Sequence, residues 1–173
     1  MLAYSLLIGV VAIERIAELV VSQRNLKWSK AHGGSEFGPG HYPAMVALHT
    51  ALLAGCLVEA AHREFIPMLG WPMLAVVVAA QALRWWCIGT LGRQWNTRVV
   101  VIPGAGRIVG GPYRFLRHPN YLAVVIEGVA LPLVHSAWIT ALVFTVLNAV
   151  LLRVRISVEN TALESLGTGR RDH

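Results

Sequence analysis

Residues 121–152 read YLAVVIEGVALPLVHSAWITALVFTVLNAVLL, and the reading of this run decides the fold. An α-helix needs about 20 residues to cross the roughly 30 Å hydrocarbon core of a bilayer. A mostly apolar run of more than 30 residues is too long for one crossing and too short for two generous ones. Pro132 and the polar pair His135-Ser136 interrupt it near the middle. The run therefore predicts two helices folded back on each other as a tight hairpin.

Working outward, Leu2–Val21, Tyr42–Ala61 and Ile66–Leu91 supply three more apolar segments of spanning length. The expected fold is an all-α integral membrane bundle of about five transmembrane helices, a single domain over residues 1–173. The first segment carries Glu14, Arg15 and Glu18, which are expensive in lipid and should face other helices or the interface. Composition agrees: 55% of residues are apolar and 14% charged, with mean hydropathy +0.57, whereas soluble domains carry about a quarter charged residues. Cys56 and Cys87 sit in apolar stretches without a Cys-x-x-Cys or Cys/His spacing, so they read as buried small hydrophobes, with no metal site expected. The first 21 residues lack a basic leading region and an Ala-x-Ala pattern, so no cleaved signal peptide is expected.

The net charge of +6 would suggest nucleic acid for a soluble protein. In a membrane chain it reads as basic loops facing the cytoplasm and anionic lipid, so membrane lipids are expected as partners and nucleic acid is not. With the N-terminus outside, the inner segments hold Arg24, Lys27 and Lys30, then Arg93, Arg98, Arg107, Arg114 and Arg117, then Arg153, Arg155, Arg170 and Arg171. The outer loops hold Arg63 alone. This asymmetry predicts a multi-pass protein of the cell's inner membrane with its C-terminus in the cytoplasm. An odd number of spans then puts the third loop and the tail on one side, where they can meet.

The third loop, residues 92–120, reads GRQWNTRVVVIPGAGRIVGGPYRFLRHPN. Val99–Ile102, closed by Pro103-Gly104, and Ile108-Val109, followed by Gly110-Gly111-Pro112, predict a short pair of extended pieces at the membrane surface. Gly104-Ala105-Gly106 lacks the strand and helix that a nucleotide-binding loop requires. Pro119 suits the first turn of a helix, with His118 near the cap. Free backbone N–H groups and the positive end of the dipole, with Arg117 and His118 beside them, then suit a carboxylate or phosphate of a small ligand. The competing reading is a helix anchor in the headgroup region. Arg155 and Glu159, four apart, share a helix face and form either part of a site or a simple salt bridge. Arg84, next to Trp85 and Trp86, either snorkels to the interface behind an aromatic belt or points into a polar cavity shared with Glu159. His49 either lines such a cavity or packs between helices. Gly167–His173 reads as a frayed tail.

These residues together resemble the isoprenylcysteine carboxyl methyltransferase family of integral membrane enzymes. The likeness runs from about Leu83 to Leu163, through Leu91–Asn96, the G-P-Y-R-x-x-R-H-P-N-Y core at Gly111–Tyr121 and the terminal R-I-x-x-E-N-x-A-L from Arg155. The N-terminal part, Glu14–Asn25 and His41–His49, looks like a short bacterial branch that O-methylates long-chain alkylpyrones or alkylresorcinols. The resemblance implies a methyltransferase that uses S-adenosyl-L-methionine in a cytosolic cofactor pocket. By this likeness Gly111, Pro112, Tyr113, Arg117, His118, Pro119, Tyr121, Glu159 and Asn160 hold the cofactor. Glu159, His118 and Arg155 are the catalytic candidates, and Arg84 and His49 border a lipid-like acceptor. The family commonly has two adjacent acids where this chain has Glu159-Asn160. Methyl transfer is an in-line displacement that chiefly needs alignment. An enol or carboxylate arrives ionised, and a phenol requires a base, for which Glu159 and His118 are candidates. Two rival readings are a membrane reductase using NADPH, since sterol reductases carry a similar Arg-His-Pro-Asn-Tyr segment, and a non-catalytic membrane protein.

Overall fold

The computed structural model describes residues 1–106 and 108–168, with side chains of the last helix described through Ala162. Arg107, Arg170 and Arg171 of the basic set, and the expected tail from residue 169 onward, lie outside the described residues. Five helices carry the fold: α1 (Leu2–Ala31), α2 (Tyr42–Ala60), α3 (Pro67–Leu91), α4 (Pro119–Leu133) and α5 (Trp138–Thr168). Gly167 and Thr168, assigned by the sequence to the frayed tail, continue α5. Among the described residues, three helices are long and apolar enough to cross a membrane, within Pro39–Ala60, Pro67–Gln94 and Trp138–Ala162. α4, with 15 residues, is only about 22 Å long at 1.5 Å per residue.

Prolines open three of the five helices. Pro43, Pro67 and Pro119 each sit at the start of their helix, where the missing N–H has no intrahelical partner to lose. His118 occupies the cap position of α4, as its neighbour Pro119 predicts. Pro132 falls in the last turn of α4, and residues 134–137 form the turn into α5. Ser136 takes a left-handed conformation there, with φ 57°. α4 packs along α3 and against α5, and α5 packs against α2. The α4–α5 approach passes over Gly128, where an added Cβ would run into the Phe144 ring.

α2 also caps α5. The Glu59 carboxylate accepts the backbone N–H groups of Ile139 (3.1 Å) and Thr140 (2.8 Å) and the Thr140 hydroxyl (2.9 Å). Those N–H groups are the ones a helix start leaves without partners. A negative charge there also complements the dipole.

α1 is amphipathic in the reverse sense. Its outward side chains include Leu2, Leu6, Val10, Ile13, Ile16 and Val20, a surface suited to hydrocarbon rather than water. Its buried positions are Tyr4, Ile8, Val11, Glu18, Ser22, Asn25 and Ser29, spaced alternately by four and three once Arg15 is added. The first half of that stripe joins the apolar core with Leu52, Cys56, Val77, Leu131 and Phe144. The second half is polar, which is why the helix runs ten residues past the apolar limit at Val21.

The extended pieces differ from expectation. β2 (Val99–Val101) pairs antiparallel with β1 (Ser35–Phe37) from the first loop, in the register Phe37↔Val99, and Ile108-Val109 is not a strand. α1 and α3 end side by side, so the segments leaving them are adjacent. Asn25 of α1 reaches the Gly92 carbonyl at the end of α3.

Candidate active site

The start of α4 and the end of α5 meet, and Tyr121 joins them. The Tyr121 hydroxyl donates to Glu159 Oε2 at 2.5 Å and accepts from Arg155 Nε at 2.9 Å. The His118 ring stacks on the Tyr121 ring at 5.2 Å and 13°, and His118 Nδ1 lies 3.9 Å from Glu159 Oε1. Arg155 Cζ sits 5.4 Å from the centroid of the same tyrosine ring. Its Nη1 donates to the Thr97 carbonyl at 2.5 Å and approaches Met45 Sδ at 3.4 Å. The four-residue spacing of Arg155 and Glu159 puts both on the face that meets Tyr121. They are bridged by the tyrosine hydroxyl rather than paired in the simple salt bridge.

The remaining expected cofactor residues sit around this centre without entering its bonds. Pro112 is buried in the turn Gly111–Arg114. Gly111 has φ 52°, and a Cβ there would press on the Thr90 hydroxyl and the Trp86 indole nitrogen. Burial raises the pKa of the Tyr113 hydroxyl above its usual value, with Cys87 adding to the effect. Arg117 and Asn160 are exposed. At the neighbouring surface Arg98 is salt-bridged to Glu36 at 2.7 Å and stacks over the Tyr42 ring at 4.3 Å. The Glu36 hydrogen bond holds the Arg98 guanidinium above its ordinary value.

Behind Tyr121 a cavity of about 340 Å³ extends into the bundle, at the lower end of the range of ligand pockets. Tyr121, Arg155, Thr97 and Asn120 line the end of it nearest the junction. α2 lines one side with Met45 and His49, and Arg15, Glu18 and Arg84 lie deeper. Ile16 of α1 and Val46 of α2 are both cavity-lining and exposed at the bundle surface. His118 and Glu159 stand on the other side of the Tyr121 ring, each side chain nearly 30% exposed. His49 lines the cavity, hydrogen-bonds the Met45 carbonyl at 2.8 Å and meets Phe144 edge-on. Both sequence alternatives for it hold at once.

Arg84 lines the cavity, as one of its two expected roles had it, but without Glu159. It is 4% exposed, so it does not snorkel, and its carboxylate partner is not Glu159. Its Nη2 pairs with Glu127 of α4 at 2.5 Å, and its Nη1 lies 3.6 Å from Glu18. Arg15 completes the network, reaching Glu18 at 2.8 Å, Gln81 at 3.0 Å and Glu127 at 3.2 Å. Gln81 in turn binds Glu14. One buried and one half-buried guanidinium group thus meet two buried carboxylates, in keeping with the rule that charges in an apolar bundle pair with one another. Sequence reading missed Glu127, although it is the one acid in residues 121–152. It also missed Ser22 and Asn25, whose signal was the continued four-and-three spacing of α1.

The chain has similar proteins. The model of the isoprenylcysteine carboxyl methyltransferase family matches residues 73–165, more than half the chain. A Bacillus subtilis protein named as uncharacterized protein YpbQ is 36% identical over 160 residues, covering 92% of this chain and 95% of its own length. An uncharacterized protein of Haemophilus influenzae is 27% identical over 157 residues, covering 88% of this chain and 90% of its own. No solved structure matches the chain. The matched region includes Arg84, His118, Tyr121, Glu127, Arg155 and Glu159, and leaves α1 and α2 outside it.

Proposed function

From the premise that the chain belongs to the isoprenylcysteine carboxyl methyltransferase family, whose members are membrane methyltransferases, we propose that it is an S-adenosyl-L-methionine-dependent O-methyltransferase. Its acceptor is a long-chain, lipid-like molecule at the membrane, either an alkylpyrone or alkylresorcinol type of polyketide or an isoprenylcysteine-like carboxylate. The observation that carries this reading is the junction of His118, Tyr121, Arg155 and Glu159 beside a largely apolar cavity that Tyr121 and Arg155 line.

The residues present fit the donor. The Tyr121 and Leu122 N–H groups at the start of α4 already bond the His118 carbonyl, so it is the positive end of the helix dipole that the first turn offers to a carboxylate. Glu159 accepts from hydroxyl or ammonium groups, and Asn120 Oδ1 is buried without a partner. When bound, S-adenosyl-L-methionine supplies an electrophilic methyl on a sulfonium. The chain's own residues then bind and orient. His118 and Glu159 face the surface side of Tyr121, where a polar molecule arrives from water. The cavity side, with Met45, Val46 and Ile16, receives an apolar tail, and the exposure of Ile16 and Val46 gives that tail a sideways path from the bilayer. Arg84 and His49 border the acceptor, with Arg15 and Glu18 beside them. Glu159 Oε2 holds the Tyr121 phenolic proton, and Arg155 fixes the hydroxyl from the opposite side. The excess of basic residues in the loops at this end supports a cytoplasmic site with the N-terminus outside.

The test is ligand-dependent melting of the purified protein. S-adenosylhomocysteine should raise the melting temperature and NADPH should not. Stabilisation by NADPH alone would establish the reductase reading instead, and no response to either would leave a non-catalytic protein. In vesicles, His118→Ala and Glu159→Ala should each abolish transfer of labelled methyl, with mass spectrometry of lipid extracts identifying the acceptor by one added CH2.

A further inference from the structure

The lower half of α1 makes an unusual set of contacts for a helix in an apolar bundle. Ser22 is 3% exposed and Asn25 8%, yet neither is buried against a helix. Both hold the segment that follows α3. Asn25 Nδ2 donates to the carbonyls of Gly92 at 3.0 Å and Trp95 at 2.7 Å. Ser22 Oγ accepts the Thr97 N–H at 3.0 Å and shares a hydrogen bond with Thr97 Oγ1 at 2.8 Å. Within the segment the Trp95 N–H bonds the Gly92 carbonyl at 3.2 Å, so two side chains of α1 tie down both of its ends.

The next bond in line is the one that matters. The Thr97 carbonyl, one peptide unit from the N–H that Ser22 holds, accepts Arg155 Nη1 at 2.5 Å. Arg155 Nε then holds the Tyr121 hydroxyl, and that hydroxyl addresses Glu159. A continuous path of hydrogen bonds runs from α1 through residues 92–97 to the tyrosine that lines the cavity. Packing alone would be served by apolar residues, as in the upper half of α1. Buried side-chain donors and acceptors aimed at backbone groups serve to fix those groups in place.

We propose that Ser22 and Asn25 are positioning residues of the site: they hold residues 92–97 so that the Thr97 carbonyl sets Arg155, and through it Tyr121 and Glu159. The proposal rests on the methyltransferase reading for the identity of the ligand, and it assigns α1, outside the region matched by the family, a part in the site. Neither residue touches the ligand.

A double-mutant cycle on the full chain in detergent, with S-adenosylhomocysteine affinity measured by calorimetry, separates positioning from packing. Ser22→Ala should weaken binding about tenfold, the size of the Arg155–Thr97 hydrogen bond to a charged group that it leaves unsupported. In an Arg155→Ala background the same substitution should change affinity less than about twofold, because the path is already cut. Asn25→Ala gives a second, independent cycle with the same expected pattern. An equal loss of affinity in both backgrounds, or an unchanged affinity with a lowered melting temperature, would overturn the proposal while leaving the methyltransferase reading in place. Failure of the wild-type protein to bind S-adenosylhomocysteine would overturn both.

Discussion

Glu127→Ala is the most demanding test of how the bundle is held together. The Glu127 side chain is 6% exposed and pairs with Arg84, itself 5% exposed, and with Arg15. Arg15 keeps Glu18 and Gln81 after the substitution. Arg84 keeps only the 3.6 Å approach to Glu18, so it becomes a buried cation with one weak partner. Breaking a buried pair by removing one member costs about 3–5 kcal/mol. For a chain of this size each kcal/mol moves the melting temperature about 2–4 °C, giving a fall of roughly 6–20 °C. The same physics predicts recovery. Arg84→Met combined with Glu127→Leu replaces the pair by apolar side chains in an apolar setting, and it should return to within about 2 kcal/mol of wild type. Thermal melts of the three proteins in one detergent decide the matter. A single variant that melts within about 3 °C of wild type, or a double variant less stable than the single, would show that the network does not hold α1, α3 and α4 together.

Gly128→Ala should lower stability by about 1–3 kcal/mol through crowding against Phe144, and Phe144→Ala in the same chain should relieve part of that strain in melting experiments. Glu59→Ala removes the cap on α5 and should cost about 1–2 kcal/mol, again by melting temperature, with affinity for S-adenosylhomocysteine unchanged because the cap lies at the opposite end of the bundle from Tyr121. Tyr121→Phe keeps the ring that stacks on His118 and deletes the hydroxyl shared by Arg155 and Glu159. Methyl transfer in vesicles should fall about 10- to 100-fold, the equivalent of one charge-assisted hydrogen bond, and a variant as active as wild type would remove the hydroxyl from the site.

What the sequence showed, it showed through length and caps. The apolar runs located α2 and α3 almost to the residue. His118-Pro119 marked the start of α4, and the spacing of Arg155 and Glu159 announced a shared face. Other features were hidden for physical reasons. Averaged hydropathy passes over Glu127, because one acid among thirty apolar residues hardly moves a mean, although its burial against Arg84 organises the bundle. β1 is three residues long, too short for any alternation to register, and its pairing with β2 depends on where α1 and α3 end. The pairing of Arg84 with Glu127 was not legible, because a helix periodicity says which face a residue shares but not which helix lies across from it. On α1, hydropathy reads the lipid-facing side, whereas Ser22 and Asn25 sit on the side that periodicity alone could reveal.

The reversed amphipathicity of α1 bears on how the chain is made. On its own in a bilayer, this helix would present Arg15 and Glu18 to hydrocarbon, at a penalty of about 2.5–3.5 kcal/mol for each charge near mid-depth. Their partners, Arg84 and Glu127, are synthesised some 70 and 110 residues later. The charges of α1 therefore find their cross-helix partners only once α3 and α4 have been made.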